Sequence, residues 1–248
     1  MSEPVKDRPR DRRRQKNLRR ITETALHMVG EGGLQSLSMH KLARALDYTP
    51  GALYRYFSSK EALLQTLNVV VLQEIQDAFA FASNLAGDDA PLARVFLHVE
   101  AYRRWSMTCR NRFGLLAVSL ADQQVFLDDE HAVPVKEAML HTFSSLVQGL
   151  VDAQEQGQIG ADAKVSQVSI EVFGLAQGLL QMRKQQHRLP FPVDLEKTLF
   201  DAMQSLFRGN GSSEEALTAA MTAVATHGKA LQDHLDEEAK RRAQAHEE

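Results

Sequence analysis

The stretch LARALDYTPGALYRYFSSKEALLQTL, residues 42–67, decides the fold. Ser38 stands just ahead of it and Thr49 lies inside it. Both are residue types whose side-chain oxygen satisfies free N–H groups at a helix start. Behind Ser38 the apolar residues Met39, Leu42, Ala43 and Leu46 fall at helical spacing, and Leu37 with Leu42 stands at the spacing of a hydrophobic staple. Lys41 occupies the place where a capping box has Glu, so that motif is incomplete. Thr49 is followed by Pro50, at the helical position where a missing N–H costs nothing, with Tyr48 and Leu53 as a second staple. The second helix is expected from Pro50 to Phe57, and Ser58-Ser59 ends it before Lys60 opens the next. Two short helices joined by a tight turn and braced by a preceding helix make a helix-turn-helix. Its second helix is the one that enters the major groove.

Working outward, the bracing helix is expected over about Lys16 to Val29, with Leu18, Ile21, Ala25, Met28 and Val29 on one face and Gly30, Gly32 and Gly33 ending it. Residues 1–16 are rich in Arg, Asp and Pro and read as a flexible basic arm. Beyond Lys60 the chain keeps helical period, with no sustained alternation of apolar and polar residues. Helices are expected near residues 60–84, 91–110, 113–127, 133–156, 164–186 and 193–208, with Val133-Pro134 read as a break. Leu217, Met221, Val224, Leu231 and Leu235 recur near helical period and suggest one more helix, fraying into a charged tail over Glu237–Glu248. The fold class is therefore all-α. The organisation is an arm (1–16), a helix-turn-helix domain (17–75), a larger helical body (76–210) and a C-terminal helix with its tail (211–248).

Composition agrees with this. The 248 residues are 44% hydrophobic and 25% charged, an ordinary globular balance. No stretch approaches the roughly 20 apolar residues of a membrane span, and the polar, Arg-rich N-terminus lacks the apolar core of a secretory signal. A single cysteine, Cys109, excludes an intrachain disulfide and a thiolate zinc site. A soluble cytoplasmic protein that does not touch membranes is the expectation. The net charge of -3 conceals a division. Residues 1–60 hold thirteen Lys and Arg against six Asp and Glu, a surplus of seven, which leaves ten net negative charges on the other 188 residues. A basic head on an acidic body is the footprint of a nucleic-acid binder whose remainder does something else.

The same residues carry a family resemblance. The helix-turn-helix, the pairs Leu53-Tyr54 and Tyr56-Phe57, and Lys60-Glu61-Ala62-Leu63-Leu64 opening a long helix resemble the TetR family of bacterial transcriptional repressors over residues 17 to about 75. The turn of that family usually carries Gly, whereas this chain has Asp47, a residue that tolerates the left-handed conformation better than most. The resemblance implies DNA contacts at the start of both short helices: Ser38 and His40 in the first, Thr49, Pro50, Gly51 and Ala52 in the second. Gly51 lets backbone approach the duplex, or alternatively a neighbouring helix. Ala52 suits a thymine methyl, and Pro50 suits van der Waals contact with base edges. Tyr54, Tyr56 and Lys60 are candidates for phosphates, which set register without reading sequence. Arg55 suits either guanine or phosphate, and His40 either a base or bulk water. Leu53 and Phe57 are expected in the core. Arg8, Arg10, Arg12, Arg13 and Arg14 of the arm are placed to reach an adjacent minor groove.

For the body the resemblance implies a homodimer through the helices near 164–186 and 193–208, and a small-molecule effector that shifts the long helix after Lys60 and so the spacing of two heads. Half-sites repeat at about 34–36 Å, so a small displacement suffices to lose the second. Gly174, Ala176 and Gly178 permit close helix approach, and Leu175, Leu179, Met182, Leu195, Leu199, Met203 and Leu206 offer apolar area. Phe96, Val99, Tyr102, Trp105, Cys109, Phe113, Leu116, Met139, His141, Phe143, Leu146, Phe173 and Gln177 are the candidate pocket wall, or else plain core. Such a wall suits a lipophilic or aromatic effector. No catalytic residues, cofactor or metal are expected. The motifs of metalloproteases, phosphate loops and nucleophile elbows are missing, and Asp128-Asp129-Glu130-His131 reads as a solvated helix end before a metal site. An activator, or a helical protein-interaction module without an effector, are the alternatives to a repressor.

Overall fold

The computed structural model describes residues 9–87, 90–121 and 129–247, and among them there is no strand. Ten helices follow in order: α1 (Pro9–Gly32), α2 (Met39–Ala45), α3 (Pro50–Tyr54), α4 (Lys60–Ala86), α5 (Pro91–Thr108), α6 (Arg110–Ala121), α7 (Asp129–Glu155), α8 (Val165–Met182), α9 (Leu195–Gly209) and α10 (Glu214–Glu247). Short 3-10 turns occupy Leu34–Ser36 and Arg183–Arg188. The all-α class and the helix-turn-helix head with its larger helical body stand as the periodicity requires.

The chain divides into two compact units. One contains residues 1–71, 110–135 and 237–248, the other 72–109 and 136–236. In the first, α1 supplies Ile21, Ala25, Leu26 and Val29 to a core completed by Leu37, Met39, Leu42, Ala43, Leu46, Leu53 and Phe57, all buried. Gly33, at φ 69°, ends α1 by donating its N–H to the Val29 carbonyl, whereas Gly30 and Gly32 remain helical. Helix α6 crosses α1 closely. A Cβ on Gly30 would overlap the Asn111 side chain, and Arg112 reaches Glu23 at 2.5 Å. The unit that holds the helix-turn-helix thus takes in α6 as well as residues 17–71.

In the second unit α5 is the central element. Fourteen of its 18 residues are buried, the pattern of a helix enclosed on all sides. Phe96 packs against Phe200 and Phe207 of α9, with ring centroids 6.4 and 5.5 Å apart. The charge buried with α5 is neutralised internally: Glu100, 1% exposed, accepts from Arg103 Nε at 2.7 Å and Nη2 at 2.8 Å, and also from Arg104. Residues 214–236 of α10 lie in this unit, where Gln232 Nε2 donates to Thr108 at 3.0 Å and His234 stacks on Phe81.

Several bounds differ from expectation. Helix α1 begins at Pro9, so residues 9–16 of the basic segment are helical and not an extended arm. Arginine is a good helix former, and low apolar content does not bar a helix that grows from a packed one. Helix α3 ends at Tyr54, with Arg55 as its C-cap. Pro134 sits inside α7, in its second turn, and so does not break the chain there. Helix α8 ends at Met182 and tightens into a 3-10 turn. The charged tail continues α10 to Glu247. Leu199 and Met203, expected at a dimer interface, are fully buried in the chain's own core. The Gly30 contact yields a prediction. Gly→Ala inside a helix ordinarily stabilises by about 0.5–1 kcal/mol, but Gly30→Ala should destabilise by about 1–3 kcal/mol through overpacking. Adding Asn111→Gly should recover part of that loss in urea unfolding.

Candidate nucleic-acid interface and effector site

The presentation of α3 follows from three local devices. Ser38 Oγ accepts from Lys41 N–H at 3.2 Å and Thr49 Oγ1 accepts from Ala52 N–H at 3.2 Å, so both caps form. Between them Asp47 takes φ 57°, the only non-glycine residue with positive φ among the described residues. That conformation turns the chain from α2 into α3 where a Gly is usual, and Asp carries it with little penalty. Leu53 then faces the core at 0% exposure, which leaves Pro50, Gly51, Tyr54 and Arg55 exposed on the outer side and Ala52 half-buried.

Around this helix the expected DNA-contacting residues come together. His40 and Thr49 are exposed or half-exposed at the two helix starts, and Ser38, Tyr56 and Lys60 are half-buried. Nothing lies within 4 Å of a Cβ placed on Gly51, so helix–helix closeness is not what the glycine serves. Tyr56 stacks on Tyr48 at 6.5 Å and its hydroxyl accepts from Asn17 Nδ2 at 2.8 Å, which leaves the phenol proton available to an outside acceptor. Lys60 Nζ lies 3.5 Å from the Leu34 carbonyl. Lys41 and Arg44 of α2 are also exposed beside His40, and the sequence reading passed over them. The charge count of the first 60 residues contained the signal, but placing it required the orientation of α2. Arg8, Asp128 and the side chains of Asp129, Glu130 and His131 lie outside the described residues.

The candidate effector residues are only partly gathered. Phe113 and Leu116 belong to α6 and hence to the first unit. His141 is exposed and Met139 half-buried, while Phe96 is committed to the α9 contact. The others lie in the second unit, where two sets of contacts form. Tyr102 stacks on Trp105 at 5.9 Å and donates its hydroxyl to Gln177, and Phe143 meets Phe173 edge-on at 4.9 Å. Trp105 Nε1 donates to Glu74 at 3.4 Å. Val99, Cys109 and Leu146 are buried in the same unit. Gln177 Nε2 is buried without a hydrogen-bond partner among the described residues, so its amide donor is open to a ligand acceptor. A cleft of about 180 Å³, lined by Arg103, Met107, Leu179, Leu180, Arg183 and Leu195 among others, includes none of the expected residues. It is also smaller than the roughly 300–1,000 Å³ of ordinary ligand sites. The sequence reading missed Glu74, Ser83, His98 and Glu100, polar residues that helical spacing alone does not mark as interior.

His98 is 1% exposed, stacks on Phe79 at 4.7 Å and lies 2.8 Å from the Ser83 hydroxyl. Burial lowers its pKa from 6.5 to about 4, with the Arg94 charge adding to the effect and the Phe79 backbone opposing it. The unfolded chain therefore binds this proton more readily than the folded one. The resulting stability is complete above pH 6.5 and lost as pH falls towards about 4. Urea unfolding should show about 2 kcal/mol less stability at pH 5 than at pH 7 from this residue, a component that His98→Gln removes.

Comparison with known proteins sets this geometry in context. Residues 21–67 match the family model described as "Bacterial regulatory proteins, tetR family". The HTH-type transcriptional regulator UidR of Escherichia coli (strain K12) is 28% identical over 166 residues, covering 65% of this chain and 78% of that protein. Among solved structures, the TetR family transcriptional regulator PfmR from Thermus thermophilus is similar with TM-score 0.59 and 22% identity, over 76% of this chain and 97% of that one. The transcriptional regulator FadR from Bacillus subtilis, solved in complex with stearoyl-CoA, is similar with TM-score 0.63 and 16% identity, over 77% and 97%. At these identities the two structures bear on the fold alone.

Proposed function

Since the chain belongs to the tetR family of bacterial regulatory proteins, DNA-binding regulators of transcription, we propose that it acts in the cytoplasm as a repressor. It binds a palindromic operator as a homodimer and is released by a small lipophilic or aromatic effector. The carrying observation is the outer side of α3, where a capped, core-anchored helix offers Pro50, Gly51, Tyr54 and Arg55 to solvent with no neighbour over Gly51. Pro50, Gly51 and Ala52 meet base edges. Tyr54, Tyr56 and Lys60 hold phosphates, and Ser38 and His40 approach the groove from α2. Gel shifts test this assignment. Gly51→Ala should fold normally, because its new methyl has free space, yet lose affinity. Lys60→Ala and Tyr54→Phe should weaken binding to cognate and scrambled duplexes alike, whereas His40 and Ala52 variants should change base preference by about 1–3 kcal/mol. A Lys60→Ala effect confined to one base position contradicts the assignment.

The effector site of this reading is the Tyr102–Trp105–Phe143–Phe173–Gln177 group, an aromatic wall with one unmatched amide donor. The apolar faces of these rings favour a lipophilic or aromatic class of ligand. For dimerisation the reading uses the outward face of α8. Ile170 is 63% and Met182 43% exposed, and nothing lies within 4 Å of a Cβ on Gly174 or Gly178. Ala176 points inward and takes no part. Ile170→Arg with Gly174→Arg should give a monomer in sedimentation with unchanged helix content and strongly reduced operator affinity. A variant that stays dimeric excludes this face.

A further inference from the structure

The helical extension of α1 bears on what its arginines touch. Arg10, Arg12, Arg13, Arg14 and Lys16 are exposed, and none is paired with a carboxylate among the described residues. Arg10 and Arg14, like Arg12 and Lys16, stand four residues apart, the spacing at which like charges on a helix repel. A polyanion relieves that repulsion. An α-helix with its side chains is about 10–12 Å across, whereas the minor groove is about 6 Å wide. This segment as a helix therefore cannot enter a minor groove in the manner of an extended arm, and with α3 taking the major groove the flanking phosphates are the groups its arginines meet.

With α1 held by its buried Ile21, Ala25, Leu26 and Val29, the hydrogen bond from Asn17 Nδ2 to the Tyr56 hydroxyl at 2.8 Å marks the side of the helix that faces the helix-turn-helix. At about 100° per residue, Arg10, Arg13, Arg14 and Arg20 lie within roughly 60° of Asn17 around the helix, Arg10 and Arg13 nearest, whereas Arg12 and Arg19 point roughly 140–160° away. The first group shares the side of α1 that holds Tyr56 of the helix-turn-helix. We infer that Arg10 and Arg13 form a phosphate clamp on duplex DNA flanking each half-site, continuing the α3 surface outward. From Asn17 to Pro9 the helix extends about 12 Å, the rise of three to four base pairs. The clamp adds affinity without sequence preference, and it rests on the DNA-binding reading above.

The test uses the full chain and a fluorescent mixed-sequence duplex several helical turns long, with affinity followed against NaCl concentration. Arg10→Ala with Arg13→Ala should flatten the slope of log K against log salt by about 0.9 for each phosphate no longer neutralised, about 1.8 in all. Lys16→Ala with Arg19→Ala removes the same charge away from the Tyr56 side and should leave the slope near that of the unaltered chain. Circular dichroism and melting temperature should be alike for all three proteins. Equal flattening by both pairs overturns the clamp in favour of a diffuse charge cloud. So does an unchanged slope for the Arg10/Arg13 pair while the unaltered chain binds. If the unaltered chain binds no duplex even at low salt, it is the DNA-binding reading itself that fails.

Discussion

A helix of five residues has no stability of its own, since isolated helices below about 12–15 residues are marginal in water. Helix α3 has five residues and α2 has seven. Their existence and their mutual angle therefore depend on one constraint, the burial of Leu37, Leu42, Leu46, Leu53 and Phe57 against Ile21, Ala25 and Leu26 of α1. Everything on the outer side of α3 follows from that anchoring. Because Leu53 is committed inward, the residues around it point outward, and the caps at Ser38 and Thr49 stop either helix from growing into its neighbour.

The chain distributes charge to match. Lys41, Arg44 and Arg55 of the head remain exposed, where water solvates them and a polyanion can reach them. In the second unit the charges of α5 are turned inward and neutralised, with Glu100 held by two arginines and Arg103 reaching Glu196 at 2.8 Å. Removing one member of such a buried set leaves an uncompensated charge, so the set fixes how α5 sits. The exposed arginines of α1 and Arg44 and Arg55 thus stand free to meet an anion, whereas those of α5 are committed to carboxylates.

Most of the head was legible in the sequence because its determinants are local. Caps, staples, Pro50 at the first helical position and the demand on Asp47 each involve residues within a few positions of one another. The rest depended on partners distant in sequence. The place of α6 beside α1 rests on Gly30 making room for Asn111, a contact no periodicity announces. The start of α1 at Pro9 was obscured because composition weighs apolar content, while the helix there extends a turn already packed. Phe96 and Trp105 read alike on a helical stripe, yet one faces the α9 aromatics and the other stacks on Tyr102. His98 and Glu100 are polar residues whose interior place follows only from the enclosure of α5 on all sides.

The central claim is that the Thr49-capped helix reads DNA through the major groove. Methylation interference on a duplex selected by this protein from a random pool addresses it directly. Guanine N7 lies in the major groove and adenine N3 in the minor groove. The account predicts that N7 methylation blocks binding in two symmetric clusters whose centres are separated by about 10–10.5 base pairs or a multiple of that spacing. Interference arising solely from adenine N3, or a single unpaired cluster, would contradict it.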